Sequence, residues 1–234
     1  MTLLSIVNRA QGMLNLPITT TVYANQGDAQ KQLVALSNTE GDILAKDHPW
    51  QRLTVERTFT TTATEQQTNE TLPAAFDRIV NETLWNRSLS QPVYGPLSPR
   101  IWQANKGIGT TSIWPSYRLR GNSFYFTPAP TAGQDIYYEY QSNQWCESSG
   151  GTGQSAWAAD SDVSRLPDLV ITLGLVWRWL EAKGFDYSNR YDEYMREKQK
   201  AKARDGTRRH LSMVGPPDFY SPVGPSISDG NWPI

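Results

Sequence analysis

Few residues in this sequence could do chemistry. Two histidines, His48 and His210, and one cysteine, Cys146, are the only imidazole and thiol groups, and three such residues so far apart cannot build a zinc cluster of ordinary spacing. Both histidines read as surface or turn residues. Cys146 has no histidine near it in sequence to take its proton, so it is not assigned as a nucleophile. A single cysteine also excludes an intrachain disulfide framework and fits a reducing compartment. Asp160 and Asp162 in "AADSDVSRLPD", with Asp168 beyond, could hold a cation or act as an acid–base pair on cell wall. An EF-hand loop would need a glycine at its sixth position and a closing glutamate, and neither is there. The three aspartates read instead as carboxylates at the positive end of a capped helix. No GxSxG, HExxH, GxxxxGK[ST] or GxGxxG occurs, so the sequence predicts no enzyme, no cofactor and no metal.

Binding chemistry has two candidates. Trp145 and Trp157 flank the glycine-rich stretch "CESSGGTGQSAWAADSD"; exposed on a β scaffold they would stack on sugars, and buried they would be core or interface anchors. The run "REKQKAKARDGTRRH" sets Arg196, Lys198, Lys200, Lys202, Arg204, Arg208 and Arg209 against Glu197 and Asp205. It reads as a solvated helix face that could also meet DNA backbone or an acidic protein rim. A formal net charge of −1 gives no global drive towards nucleic acid or membrane.

These residues sit on a recognisable order of elements. Leu3, Ile6, Val7, Ala10, Met13 and Leu14 recur at helical spacing over 3–16, with Thr2 as N-cap. A second helix is predicted over about 26–46 from Ala29, Leu33, Leu36, Glu40, Ile43 and Leu44, antiparallel to the first. From Trp50 the texture becomes β-rich, with Leu53, Val55, Thr58 and Thr60 beside Phe59. "SPRIWQANKG" predicts a short helix with proline near its start and Gly107 just past its end. Tyr117/Leu119, Phe124/Phe126 and Ile136/Tyr138/Tyr140 predict a three-stranded antiparallel meander, followed by an exposed or mobile glycine–serine excursion.

Two more helices follow. The first, from Pro167 and Asp168 to Gly184, is the most apolar passage of the chain, "LVITLGLVWRWLEAKGFDY", but Arg178 interrupts it well short of the ~20 residues a bilayer span needs. The N-terminus has no basic opening region or small-residue cleavage pattern, so no secretion signal or membrane anchor is expected. The second helix, about 187–204, carries Tyr187, Tyr191, Tyr194 and Met195 on one stripe and stops at Gly206. Beyond it, prolines and glycines without helical period predict an extended tail that orders only against something else. The expected fold is α+β: helices at 1–49 and 161–206 forming a bundle, a β insertion at 50–160, and a tail at 207–234.

The passages "LPAAFDRIVNETLWNRS", "VYGPLSPRIWQ", "RLRGNSFYFTPAPTAGQDIYYEYQSNQW" and "DSDVSRLPDLVITLGLVWRWLEAKGFDY" resemble the head-to-tail adaptor (connector) proteins of tailed bacteriophages, particularly short-tailed ones. The likeness spans roughly residues 1–212. It implies a virion neck protein, assembled in the host cytoplasm, that docks below the portal as a ring, typically of twelve copies. Such a ring extends the channel for packaged DNA and offers a platform to distal tail or nozzle proteins. The implied partners are the portal protein, adjacent adaptor subunits, those tail proteins and the passing DNA. The alternative is a carbohydrate-binding module of a tail component, resting on Trp145 and Trp157.

A ring subunit needs two unlike complementary faces. The apolar helix has Leu173 and Trp177 on one side and Leu175 and Trp179 on another, so Leu175 and Trp179 are the expected subunit interface. In the tail, Phe219, Tyr220 and Trp232 are the expected portal anchors, because aromatic rings give most contact area per ordered side chain. Arg208 and Arg209 are expected to pair with acidic portal groups.

Overall fold

A computed structural model describes residues 1–25, 27–108 and 114–206. Helix α1 (Leu3–Met13) starts where predicted: Thr2 is extended and its hydroxyl accepts the Ser5 amide at 3.3 Å. Helix α2 is Asp28–Asp47, followed by a 3-10 turn at Gln51–Leu53. Then come β1 (Thr54–Thr60), β2 (Gln66–Gln67), β3 (Phe76–Ile79), β4 (Trp85–Asn86) and β5 (Gln91–Pro92). Helix α3 (Pro99–Ile108) precedes β6 (Ser116–Arg120), β7 (Ser123–Thr127) and β8 (Asp135–Ser142). Short strands β9 (Cys146–Glu147), β10 (Gly153–Gln154) and β11 (Val163–Ser164) lead to α4 (Asp168–Ala182) and α5 (Ser188–Asp205). The α+β class predicted from the sequence is therefore the one observed.

Helix α4 is the hub of the helical core. α1, α2 and α5 each pack along it, and α1 and α2 meet it more than each other, so the predicted antiparallel pair of first helices is replaced by two helices sharing a third. This explains an apolar helix with no polar side: Val170, Ile171, Leu173, Leu175, Val176, Trp177 and Trp179 are all buried. Burying each such side chain contributes ~1.5–3 kcal/mol. The expected division of α4 into a folding face and a free face is thereby corrected. Leu175 is fully buried and Trp179 is 6% exposed, covered within one chain.

A buried ion pair interrupts this core. Glu40 of α2 is fully buried and its carboxylate accepts from Arg178 of α4 at 2.7 Å. α2 comes so close here that a Cβ on Gly174 would lie 2.5 Å from the Glu40 carboxyl carbon. Ile43, placed by sequence on the buried side of α2, is 41% exposed, and Ser37 and Gly41 are buried in the stripe with Glu40. The helix uses small residues where it approaches its neighbours, which a count of apolar spacing misses.

The β insertion has its own core between two sheets. β8 is central in a five-stranded sheet of order β1–β8–β4–β5, with β3 also on β8; β6 and β7 form a separate sheet with β2. The predicted meander is therefore corrected: the β6–β7 hairpin forms, but β8 leaves it and pairs with β1 along its length. Its alternating Ile136, Tyr138 and Tyr140 suit a face packed against another sheet as well as one paired with β7, so pattern alone could not choose. Phe59 of β1 stacks on Phe124 of β7 at 5.3 Å, and Phe124 meets Tyr138 edge-on at 4.9 Å. The inward residues of β1 are Val55, Arg57 and Phe59, opposite Tyr140, Tyr138 and Ile136; Thr58 and Thr60 face solvent. Arg57 reaches Glu70, to which the Tyr138 hydroxyl also donates at 3.0 Å. Gly107 lies inside α3, not past its end.

The glycine–serine excursion is exposed at 149–152, as expected, but its two ends are folded. β9 pairs with β10 and β11, and Trp145, Cys146 and Trp157 join the helical core, so the chain re-enters that core directly after β8. Thr2 bridges Val163, and the Leu3 amide donates to the Asp162 carbonyl at 2.9 Å, which fastens the start of α1 beside the start of α4.

Gly174→Ala is expected to lower stability by up to about 2 kcal/mol, because overpacking against the pinned Glu40 carboxylate costs ~1–3 kcal/mol and the helix propensity of alanine over glycine offsets ~1 kcal/mol of it. Urea unfolding measures it, and a midpoint at or above wild type would remove this notch from the account.

Candidate interaction surfaces

The residues singled out for catalysis serve structure. Cys146 is buried, and burial pushes its thiol up to about 12, far from a reactive thiolate. Asp160 accepts the Val22 and Tyr23 amides at 3.0 and 2.7 Å, holding the loop between α1 and α2. Asp162 accepts the Ala158 and Ala159 amides, and Asp168 pairs with the Met1 amine at 2.9 Å. Two of the three aspartates thus pin loops, and only Asp168 stands in the first turn of α4. No group of three or more metal-ligating side chains forms among the described residues.

Trp145 and Trp157 offer no stacking platform. They are 0% and 3% exposed, meet edge-on at 5.0 Å, and the Trp145 indole donates to Asp42 at 2.9 Å. The sugar-binding reading needs exposed rings, and burial removes its basis.

The basic run of α5 is partly committed within the chain. Lys198 and Lys202, one turn apart, both reach Asp47 at 2.9 and 2.7 Å. Asp205 accepts the Gln51 amide at 3.0 Å and lies 3.3 Å from the His48 ring. Lys200 pairs with Glu197. These bonds staple the end of α5 to the junction between α2 and β1. At Asp47 burial opposes ionisation, but the hydrogen bonds from Lys202 and Lys198 outweigh it and hold the carboxyl below its ordinary value.

An open aromatic surface lies at the other end of α5. α4 closes on Gly184 (φ +74°), with the Gly184 amide on the Glu181 carbonyl at 3.0 Å and the Phe185 amide on the Leu180 carbonyl at 2.9 Å. Asp186 then accepts the amide and hydroxyl of Ser188 and starts α5. Across this turn Tyr191, Tyr194 and Tyr187 surround Trp177, with ring centroids 5.2, 5.9 and 6.0 Å away. Tyr194 is buried, whereas Tyr187 and Tyr191 are more than a third exposed and Phe185 mostly so. Trp177, Glu181, Tyr187, Ser188, Tyr191 and Asp192 line an open pocket there. The sequence shows the tyrosine stripe, but not that Trp177 of the other helix completes it. Only the tight turn brings them together.

Further exposed apolar residues are Trp85 and Leu89 by the β4–β5 hairpin and Ile101 and Ile108 on α3. Arg208, Arg209, His210, Phe219, Tyr220 and Trp232 lie outside the described residues. No helix among the described residues is long and apolar enough to cross a membrane.

Compared with known families, the chain matches the family model described as SU10 adaptor protein over residues 1–217. No curated protein matches it.

Asp47 makes a signed prediction. A carboxyl held lower in the folded chain contributes stability that is full above its unfolded value of 3.8 and is lost as pH falls through the folded value. Asp47→Asn is therefore expected to lower stability near neutral pH and to flatten its fall below pH ~4. Urea midpoints measured across that range check this; parallel wild-type and variant curves would count against it.

Proposed function

We propose that this chain, which belongs to the SU10 adaptor protein family, is a structural phage head-to-tail adaptor that docks below the portal as a closed ring and continues the DNA channel towards the tail. The family match over residues 1–217 carries the reading. It agrees with the resemblance to short-tailed-phage adaptors, and twelve is the copy number that resemblance implies. The role is assembly and needs no catalytic group. Two separate cores in one subunit support it, because a helical end and a β end give a ring two different rims.

In this reading the tail residues Arg208, Arg209, Phe219, Tyr220 and Trp232 reach onto the portal, with distal tail or nozzle proteins below. Ordering such a segment on a partner costs conformational entropy that its aromatic and arginine contacts must exceed. The ring then forms in the host cytoplasm and remains in the virion neck.

Sedimentation of the purified full chain with portal protein tests this. The full chain is expected to co-sediment and a chain ending at Gly206 to lose binding, with affinity falling as salt screens the arginines. Binding retained by the truncated chain would move the contact to the helices, and no binding by the full chain at any salt would overturn the reading.

A further inference from the structure

The pocket at the α4–α5 turn has an uncommon composition for a protein surface. Three of its six lining residues are aromatic, Trp177, Tyr187 and Tyr191, and two are carboxylates, Glu181 and Asp192. Both carboxylates are exposed and neither is joined to a cation among the described residues. Ring faces attract cations through their quadrupole, and a guanidinium adds planar stacking and two-pronged bonding to carboxylate. Chain-internal use of the same chemistry lies next to it: the Arg178 guanidinium carbon sits 4.4 Å from the Trp177 ring centroid. An arginine side chain could engage both the ring faces and the carboxylates.

A second copy offers one. In a ring of identical subunits one flank of each copy meets a different flank of the next. α1 and α5 both pack along α4 without packing extensively on each other, so they form different flanks of the bundle. Arg9 stands on α1 outside its buried stripe of Leu3, Ile6, Val7 and Ala10, is exposed, and makes no ion pair among the described residues. The α5 flank is thus an acidic aromatic socket, and the α1 flank carries an unpaired arginine. From this complementarity we infer that the α4–α5 pocket of one subunit receives Arg9 of the adjacent subunit. The contact would close the ring and rests on the adaptor reading given above.

Cysteine cross-linking tests it. Gly12→Cys on α1 and Asn189→Cys on α5, exposed positions that leave Arg9, Glu181 and Asp192 in place, separately and together in the full chain, are treated with a short bismaleimide, with and without portal protein. Cys146 is buried and does not compete. A single surface cysteine can link two copies at most, whereas a head-to-tail contact lets the double variant form a ladder of covalent multimers. The ladder is the expected result, with circular dichroism unchanged in all three variants. A double variant that co-sediments with portal but yields only the dimers of the single variants would overturn the socket and leave the adaptor reading standing. Loss of co-sedimentation in the wild-type chain would overturn the adaptor reading itself, and a ladder formed without portal would still support the socket.

Discussion

Glu40 is the constraint around which the helical half of this subunit is arranged. A carboxylate with no exposure cannot remain unpaired, because its desolvation costs several kcal/mol. Arg178 answers it at 2.7 Å, and Gly174, one turn earlier on α4, leaves room for it. Together these three residues fix where α2 meets α4 along both helix axes. Apolar side chains alone would tolerate a slide of one turn; a charge that must find one partner beside one notch does not. A buried ion pair of this kind adds little net stability over well-packed apolar residues, so its contribution here is register.

With α2 fixed, α4 can be apolar on all sides, because α1 and α5 cover what α2 does not. The end of α5 is held by Asp47 and Asp205, and its start by the turn at Gly184. The aromatic residues that α5 cannot bury along α4 collect at that turn, where Tyr187 and Tyr191 remain partly open. The surface available for assembly is therefore at the ends and flanks of the bundle, and the apolar hub is closed. Both hydrophobic cores are thus completed within one chain.

Much of this fold was legible in the sequence. Helical spacing located α1, α2, α4 and α5 to within a few residues, and Thr2, Pro167 and Gly184 marked their ends, because caps and periodicity are local properties. The β6–β7 hairpin was equally local. The block order resembling phage adaptors pointed to the family that the match over residues 1–217 supports. The same local reasoning misplaced β8, left open whether Trp157 was exposed or core, and gave α4 a free face. In each case the deciding partner lies far away in sequence: β1 for β8, the helical core for Trp157, and α1 for α4.

The sequence by itself therefore determined the elements, the lack of a catalytic motif and the kind of protein, since these depend on residue type and short spacing. Tertiary structure alone decided which apolar faces are spent internally and which remain for a partner. Burial depends on every element that packs against a residue, and no single stretch of chain contains that information. Leu175 and Trp179 look like spare surface when α4 is read alone and are core once α1, α2 and α5 close around it. Trp177 and Glu181 are one turn apart on α4, and Tyr191 joins them in one pocket only because the turn at Gly184 folds α5 back upon α4.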